Sequence, residues 1–145
     1  MAYYNQLLRF ISSFSGGIFV MTHLLPANKE RIKYNCAITI QTILMCLFYQ
    51  SRGNPEFELL FQDAKRQFLE GRGIQVMCGF LSTHNNAKFL SILCDSLYYV
   101  AKKERETKKM ILRQNGTHCL MQIIRSANYQ NLIRGALKLF EGKDY

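Results

Sequence analysis

The sequence contains little proline and no long apolar run. Only two prolines and nine glycines occur among its 145 residues, and nearly half of the residues are apolar, which is too many for a disordered chain. The longest apolar run, residues 43–49, is too short to span a bilayer. The first residues also lack the basic-then-apolar order of a signal peptide. We therefore predict a folded, mainly helical chain without membrane insertion.

The sequence also lacks a disulfide framework and a recognisable catalytic or metal site. Its five cysteines are odd in number, irregularly spaced and surrounded by apolar neighbours. They indicate buried free thiols and a reducing cytosolic or nuclear setting. His23, His84 and His118 are scattered, no CxxC pair is present, and Asp95 stands in an otherwise apolar segment. We predict no enzyme, no cofactor and no metal.

An internal repeat is anchored on Gly17, Gly73 and Gly116. Apolar residues follow each glycine by three, four, seven and eight positions, a spacing that places them on one face of a short helix. A short run such as 75–80 also resembles a strand, but the shared glycine spacing favours a helix. The apolar sets are Val20, Met21, Leu24 and Leu25; Val76, Met77, Phe80 and Leu81; and Cys119, Leu120, Ile123 and Ile124.

Each short helix is predicted to lie between two others, so the repeating unit has three helices. Gly73 and Gly116 are 43 residues apart, within the armadillo and HEAT range of about 40–47, and a three-helix unit favours armadillo. Gly17 and Gly73 are 56 residues apart, which indicates an insertion in this interval. The predicted long helices cover residues 31–49, 87–102 and 129–140, and those preceding the glycines cover 4–14, 57–70 and 108–114.

The predicted organisation is one continuous domain of three repeats. They cover residues 1–50, 57–102 and 103–145. The polar, turn-forming segment 51–56 is interpreted as an inserted loop. A repeat protein tolerates such an insertion because each unit contacts only its neighbours.

Several segments, taken in chain order, resemble the central armadillo repeats of the β-catenin family. They are SGGI at 15–18, AIT at 37–39, KFLSILCDSL at 88–97, ETKKMIL at 106–112 and IRSANY at 124–129. The resemblance covers about three units, near the fourth to sixth of the family's twelve. It implies an all-α, armadillo-repeat right-handed superhelix, an α-solenoid of about three repeats, whose third helices line a basic groove.

The resemblance also implies partners and groove residues. In that family the groove holds extended acidic segments of cadherin cytoplasmic tails, T-cell-factor-type transcription factors and axin. Lys65 and Lys88 match groove lysines that pair with ligand carboxylates. Lys138 stands where the family has an arginine, and Arg134 where it has a tryptophan; Ile43 replaces a polar groove position.

The implied protein is a non-catalytic, monomeric peptide-binding scaffold of cell adhesion or Wnt signalling. As a transcription coactivator or an adhesion component, it would be located in the cytoplasm, the nucleus and at cell junctions. The formal net charge of +9 agrees with an acidic ligand.

Two other interpretations stay open. A nucleic-acid-binding helical-repeat protein would use Tyr98, Tyr99 and Tyr129, which stand near lysines, to stack on bases. No recognised nucleic-acid motif supports it, and direct nucleic-acid binding is not expected. An importin-like armadillo adaptor would share the fold, but positive groove residues would repel the basic signal that it carries.

Overall fold

A computed structural model describes residues 17–27, 29–126 and 129–141. These residues form helices joined by short turns, and no strand occurs among them, which confirms the all-α prediction. The predicted helix over 4–14 lies outside the described residues. The helices are α1 (Gly17–Leu24), α2 (Glu30–Gln50), α3 (Pro55–Glu70), α4 (Gly73–Thr83), α5 (Ala87–Ala101), α6 (Arg105–Arg113), α7 (Gly116–Ser126) and α8 (Gln130–Glu141).

The predicted helix order is confirmed over the described part of the chain. Each anchor glycine is the first residue of a short helix, namely α1, α4 or α7. The long helices follow as α2, α5 and α8, and α3 and α6 precede the second and third glycines. The run 75–80 is helical. This succession of three-helix units is the armadillo pattern.

A close approach explains why glycine stands at the start of two of the short helices. A Cβ atom added to Gly73 would lie 2.5 Å from the ring of Phe68. One added to Gly116 would lie 2.6 Å from both Cγ2 and the carbonyl oxygen of Ile111. Both distances are far below van der Waals contact, so only glycine fits where the preceding helix ends against the next.

We refer to the junctions at Gly73 and Gly116 as glycine corners. In each corner, the residue directly before the glycine has left-handed backbone angles. Arg72 has a φ of 64° and Asn115 a φ of 63°, in the region that non-glycine residues rarely adopt. Arg72 and Asn115 are the second residues after the ends of α3 and α6, and the next helix starts directly after each of them. The glycines are therefore needed for space and not for their own backbone angles.

The extra length between the first two anchor glycines lies in the helices and not in a loop. Within the predicted loop 51–56 the structure has a turn at residues 51–54, and α3 begins at Pro55. The side-chain oxygen of Asn54 accepts hydrogen bonds from two backbone N–H groups of the first turn, at 3.1 and 3.4 Å. Asparagine before a helix and proline at its first position are favoured start signals. Helices α2 and α3 have 21 and 16 residues, whereas α5 and α6 have 15 and 9.

The chain divides into two compact units, residues 1–73 and 74–145. In the first unit, α3 packs against both α1 and α2. In the second, α8 packs against α5 and α7, and α6 also contacts α5 and α7. The division falls inside the predicted repeat 57–102, because α3 shares a core with the helices that precede it. The three repeat boundaries stay a prediction.

Helix α2 provides much of the core of the first unit. By length and composition alone it is apolar enough to cross a membrane. Its buried residues, however, follow helical spacing, and the helix packs against α1 and α3, as in an amphipathic core helix. These buried residues are Lys33, Cys36, Ala37, Ile40, Ile43, Leu44, Cys46 and Leu47.

Replacing Gly116 by alanine tests the close approach at the start of α7. We expect Gly116→Ala to lower the free energy of unfolding by about 1–3 kcal/mol, because the added methyl group must displace Ile111. Gly79→Ala, inside α4, is the matched control: its Cβ would meet no atom within 4 Å. The control should raise stability by roughly 0.5–1 kcal/mol through better helix propensity. Urea denaturation followed by circular dichroism measures both, and equal effects would contradict the steric explanation.

Candidate functional site

In the second unit, helices α5 and α8 approach closely at a glycine of α8. A Cβ atom added to Gly135 would lie 3.4 Å from Cβ of Cys94 and 3.4 Å from Oδ1 of Asp95. Leu132 and Ala136 of α8 are buried beside this contact. The contact brings exposed side chains of α8 next to the partly exposed edge of α5.

Two of the predicted site residues, Arg134 and Lys138, lie together on α8. They are four residues apart, and therefore neighbours on one helix face, and both are exposed. The Lys138 ammonium lies 5.1 Å from the centroid of the Tyr98 ring on α5. No carboxylate among the described side chains forms an ion pair with either cation. The two residues thus give α8 a positively charged, solvent-facing strip.

A second lysine contacts the same tyrosine ring. The Lys102 ammonium lies 5.5 Å from the ring centroid of Tyr98 and donates a 3.1 Å hydrogen bond to its hydroxyl oxygen. We refer to Tyr98, Lys102 and Lys138 as the lysine–tyrosine cluster. From the sequence, Tyr98 is predicted only as a residue that could stack on bases. The four-residue spacing of Tyr98 and Lys102 was the available signal, whereas the contribution of Lys138 depends on how α8 packs.

The third predicted residue, Lys88, stands at the start of α5. It is exposed and is the second residue of the helix, whose first turn contains no acidic residue. Asn86 caps this end, its side-chain oxygen accepting a 3.0 Å hydrogen bond from the backbone N–H of Phe89. The unpaired N–H groups of a helix start carry partial positive charge. Lys88 adds to that charge, so an anion is favoured there.

Lys65, the fourth predicted residue, belongs to the first unit and is largely buried. It is 6 % exposed, and its ammonium lies 4.6 Å from the ring centroid of Phe61 on the preceding turn of α3. Such a cation–π contact partly offsets the cost of removing a charge from water. Contact with a ligand carboxylate stays a prediction for Lys65, and little of its surface is open to solvent.

The interpretation of Ile43 as a groove position is wrong. Ile43 is 2 % exposed and belongs to the core of the first unit. The solvent-facing side of α2 instead carries Tyr34, Ile38 and Tyr49, which are 38 %, 37 % and 52 % exposed. Helical periodicity identified both faces of α2, but it did not indicate which face its neighbours cover.

The thiols of the second unit are poor nucleophiles. Burial raises the pKa of Cys78 and of Cys94 to about 12, so both remain protonated at neutral pH. All five cysteines are buried, and none of them forms a disulfide bond. In the described ranges, no group of three His, Cys, Asp or Glu side chains is arranged to hold a metal ion.

The three-helix units, their glycine corners and the cationic edge of α5 and α8 define the class as armadillo-repeat proteins. No protein-family model matches the chain. Junction plakoglobin of Xenopus laevis is 31 % identical over 119 residues, and that of Homo sapiens is 30 % identical over 119. Catenin beta of Urechis caupo is 29 % identical over 120 residues.

The chain is thus a distant homologue of these armadillo-repeat proteins, which confirms the resemblance to the β-catenin/armadillo family found in its sequence. Each alignment covers 82 % of this chain. The chain in turn spans only 13–14 % of the length of these relatives. The similarity therefore concerns a short stretch of much longer proteins.

The raised pKa values of two thiols lead to a prediction about cysteine labelling. At about pH 8 the folded protein should leave Cys78 and Cys94 unmodified by iodoacetamide, because thiols with a pKa near 12 contain almost no thiolate. The same protein unfolded in urea is the control, and all five cysteines should then react. Peptide mapping by mass spectrometry measures the modification. Rapid modification of either thiol in the folded protein would contradict the assignment.

Proposed function

We propose that this chain is a non-catalytic protein-binding scaffold of β-catenin type. Its basic surface on α5 and α8 receives extended acidic peptide segments, such as those of cadherin cytoplasmic tails or T-cell-factor-type transcription factors. Axin is a further candidate partner. The corresponding roles are in cell adhesion, Wnt signalling or both, in the cytoplasm, at cell junctions and in the nucleus.

One observation carries the proposal: α8 exposes Arg134 and Lys138 one turn apart, next to α5, with no ion pair to a described carboxylate. Exposed cations without an acidic partner among the described side chains are available to an acidic ligand. An extended peptide crossing α5 and α8 gains several modest ion pairs, and the positive potential also accelerates its association. Lys88 adds charge at the start of α5.

Two departures from the family pattern distinguish this surface from the peptide groove of the family. Lys138 keeps the positive charge of the family's arginine but loses bidentate geometry. Arg134 replaces an aromatic anchor by a cation. We infer a ligand that depends more on charge and less on an aromatic pocket than the ligands of the family.

An activated cysteine nucleophile is not expected at Cys78 or Cys94. The thiols with the clearest pKa shifts are held protonated by burial. Nucleic acid stays the second candidate, because the net charge of +9 would attract any polyanion. An importin-like adaptor is less compatible with Arg134 and Lys138, which would repel a basic signal.

Reversing the two exposed charges of α8 tests the proposal. We expect the double variant Arg134→Glu with Lys138→Glu to bind an acidic cadherin-tail peptide at least tenfold more weakly. This loss corresponds to about 1.4 kcal/mol of binding free energy. Each reversal replaces an attraction by a repulsion. Isothermal titration calorimetry at two salt concentrations measures the affinity, and the difference between wild type and variant should shrink at high salt.

A control with the same change in net charge separates the surface from the overall charge. Lys109→Glu with Arg125→Glu alters two exposed cations on α6 and α7, and this variant should bind like the wild type. Equal losses of peptide affinity in both double variants would show that the effect depends only on net charge. A single-stranded oligonucleotide with the same number of charges is titrated in parallel. Tighter binding of the oligonucleotide than of the peptide would favour the nucleic-acid function.

Lys65 is tested separately, because its burial makes charge reversal disruptive. Lys65→Met keeps most of the apolar stem and removes only the ammonium group. If Lys65 contacts the ligand, peptide affinity falls while the melting temperature changes little. Unchanged affinity would remove Lys65 from the proposed surface without affecting the role of α8.

A further inference from the structure

We infer that Asn115, in the glycine corner between α6 and α7, is a site of spontaneous deamidation whose isoaspartyl product opens this corner. The reacting atoms are the side-chain carbonyl carbon (Cγ) of Asn115 and the backbone nitrogen of Gly116. The inference concerns a modification of the chain itself, and it does not depend on the proposed peptide binding.

The sequence distinguishes this asparagine from the others. Asn115 is the only asparagine of the chain that is followed by glycine. Glycine has no side chain that shields its backbone nitrogen or hinders rotation of the chain beside it. Asparagine is thermally labile, and its Cγ atom is linked to the nitrogen of the next residue by a short path through Cβ, Cα and the carbonyl carbon. The two atoms therefore meet by rotation about the intervening single bonds, without a second molecule.

The structure leaves both reacting groups without hydrogen bonds that would hold them apart. Asn115 is exposed, and its side-chain amide makes no hydrogen bond to any described residue. Gly116 is the first residue of α7, where backbone N–H groups have no partner within the helix, and no described backbone carbonyl accepts a hydrogen bond from it. By contrast, Asn54 and Asn86 each accept hydrogen bonds from the helix that follows them.

The backbone of the corner controls when the reaction occurs. Asn115 has a φ of 63°, a left-handed conformation that is unfavourable for most residues with a side chain. Only Gln114 and Asn115 separate α6 from α7. Gly116 is buried, so the ring closes when these two residues leave the turn in a local opening. We therefore expect the reaction to be slower in the folded protein than in the unfolded chain.

The reaction is a cyclisation followed by hydrolysis. The nitrogen of Gly116 loses its proton to hydroxide and donates its electron pair to Cγ of Asn115, and the bond from Cγ to the side-chain nitrogen breaks. That nitrogen takes up a proton and leaves as ammonia, so a succinimide ring remains. Water then adds to one of the ring carbonyls and opens the ring. Opening at Cγ gives aspartate in the normal linkage, whereas opening at the main-chain carbonyl carbon gives isoaspartate.

The isoaspartyl product changes the main chain at the corner. Gly116 is then attached through Cβ and Cγ, so the main chain is longer by one atom, and the former main-chain carbonyl of Asn115 becomes a free carboxylate. In the unmodified protein this carbonyl oxygen accepts a 3.2 Å hydrogen bond from the backbone N–H of Cys119 in α7. A Cβ atom on Gly116 would already lie 2.6 Å from Ile111, so the corner has little room for a displaced glycine. We expect the start of α7 to separate from α6.

The aspartyl product keeps the main chain and adds a negative charge directly before α7. The first turn of α7 contains no acidic residue, and a negative charge at the start of a helix is stabilising. This product should therefore be at least as stable as the unmodified protein. The variant Asn115→Asp reproduces it.

Incubation of the folded full chain in mildly alkaline buffer at physiological temperature tests the inference. Trypsin releases residues 114–125 as one peptide that contains Asn115, and mass spectrometry measures the exchange of amide nitrogen for oxygen at each asparagine over time. We expect Asn115 to react at least about tenfold faster than Asn54 or Asn86. Asn54 is an internal control, because the nitrogen of Pro55 carries no hydrogen. A zero-time sample corrects for modification during digestion.

The rate in the folded protein decides between the outcomes. Faster modification at Asn115 than at both controls, with isoaspartate detected by an isoaspartyl methyltransferase, supports the site. A rate at Asn115 no higher than at Asn54 and Asn86 overturns it, whether or not the chain unfolded in urea reacts there. Asn115→Gln should lose the methylation signal, because its longer side chain closes a ring far more slowly.

The effect on the corner is measured on the separated products. Cation-exchange chromatography separates the modified forms from the starting protein, because each carries an additional negative charge. We expect the isoaspartyl form to melt several degrees below the wild type by circular dichroism, whereas Asn115→Asp melts at or above it. An isoaspartyl form that melts together with Asn115→Asp would overturn the opening of the corner.

Discussion

The corner where one helix ends against the start of the next is the constraint on which the three-helix units depend. At Gly73 and Gly116 the preceding helix approaches within a distance that leaves no space for a methyl group. A left-handed residue directly before each glycine turns the chain, so the two helices are separated by only two residues. The corner thus fixes where the short helix begins and, through it, where the long helix follows.

This constraint also explains why glycine was the clearest signal in the sequence. A close approach of backbone to a neighbouring side chain can be satisfied by no other residue, so the requirement is visible at a single position. Helical spacing of apolar residues then extended the prediction from Gly17, Gly73 and Gly116 to the following helices. Start signals were ambiguous in comparison: Asn54 and Pro55 fit a loop as well as the first turn of a helix, and here they begin α3.

The candidate surface could be predicted only in part. The sequence shows which residues are charged and how they are spaced along a helix, but it does not show which helices pack against each other. Arg134 and Lys138 could be placed on one helix face from their spacing alone. The burial of Lys65 depends on its tertiary surroundings, and the meeting of Lys138 with Tyr98 depends on the contact of α8 with α5. A glycine at 135 permits that contact. The position of Ile43 shows the same limit, since periodicity gives two faces of a helix but not the covered one.

The added length of α2 and α3 has a consequence for redesigning the first unit. Relative to α5 and α6, the two helices are longer by six and seven residues, 21 against 15 and 16 against 9. At a rise of 1.5 Å per residue, α2 and α3 are each roughly 10 Å longer than the corresponding helix α5 or α6. Helices α2 and α3 pack against each other as the two arms of one hairpin. Trimming one arm alone would leave a row of apolar side chains without a partner, so a shortened version must remove matching turns from both arms.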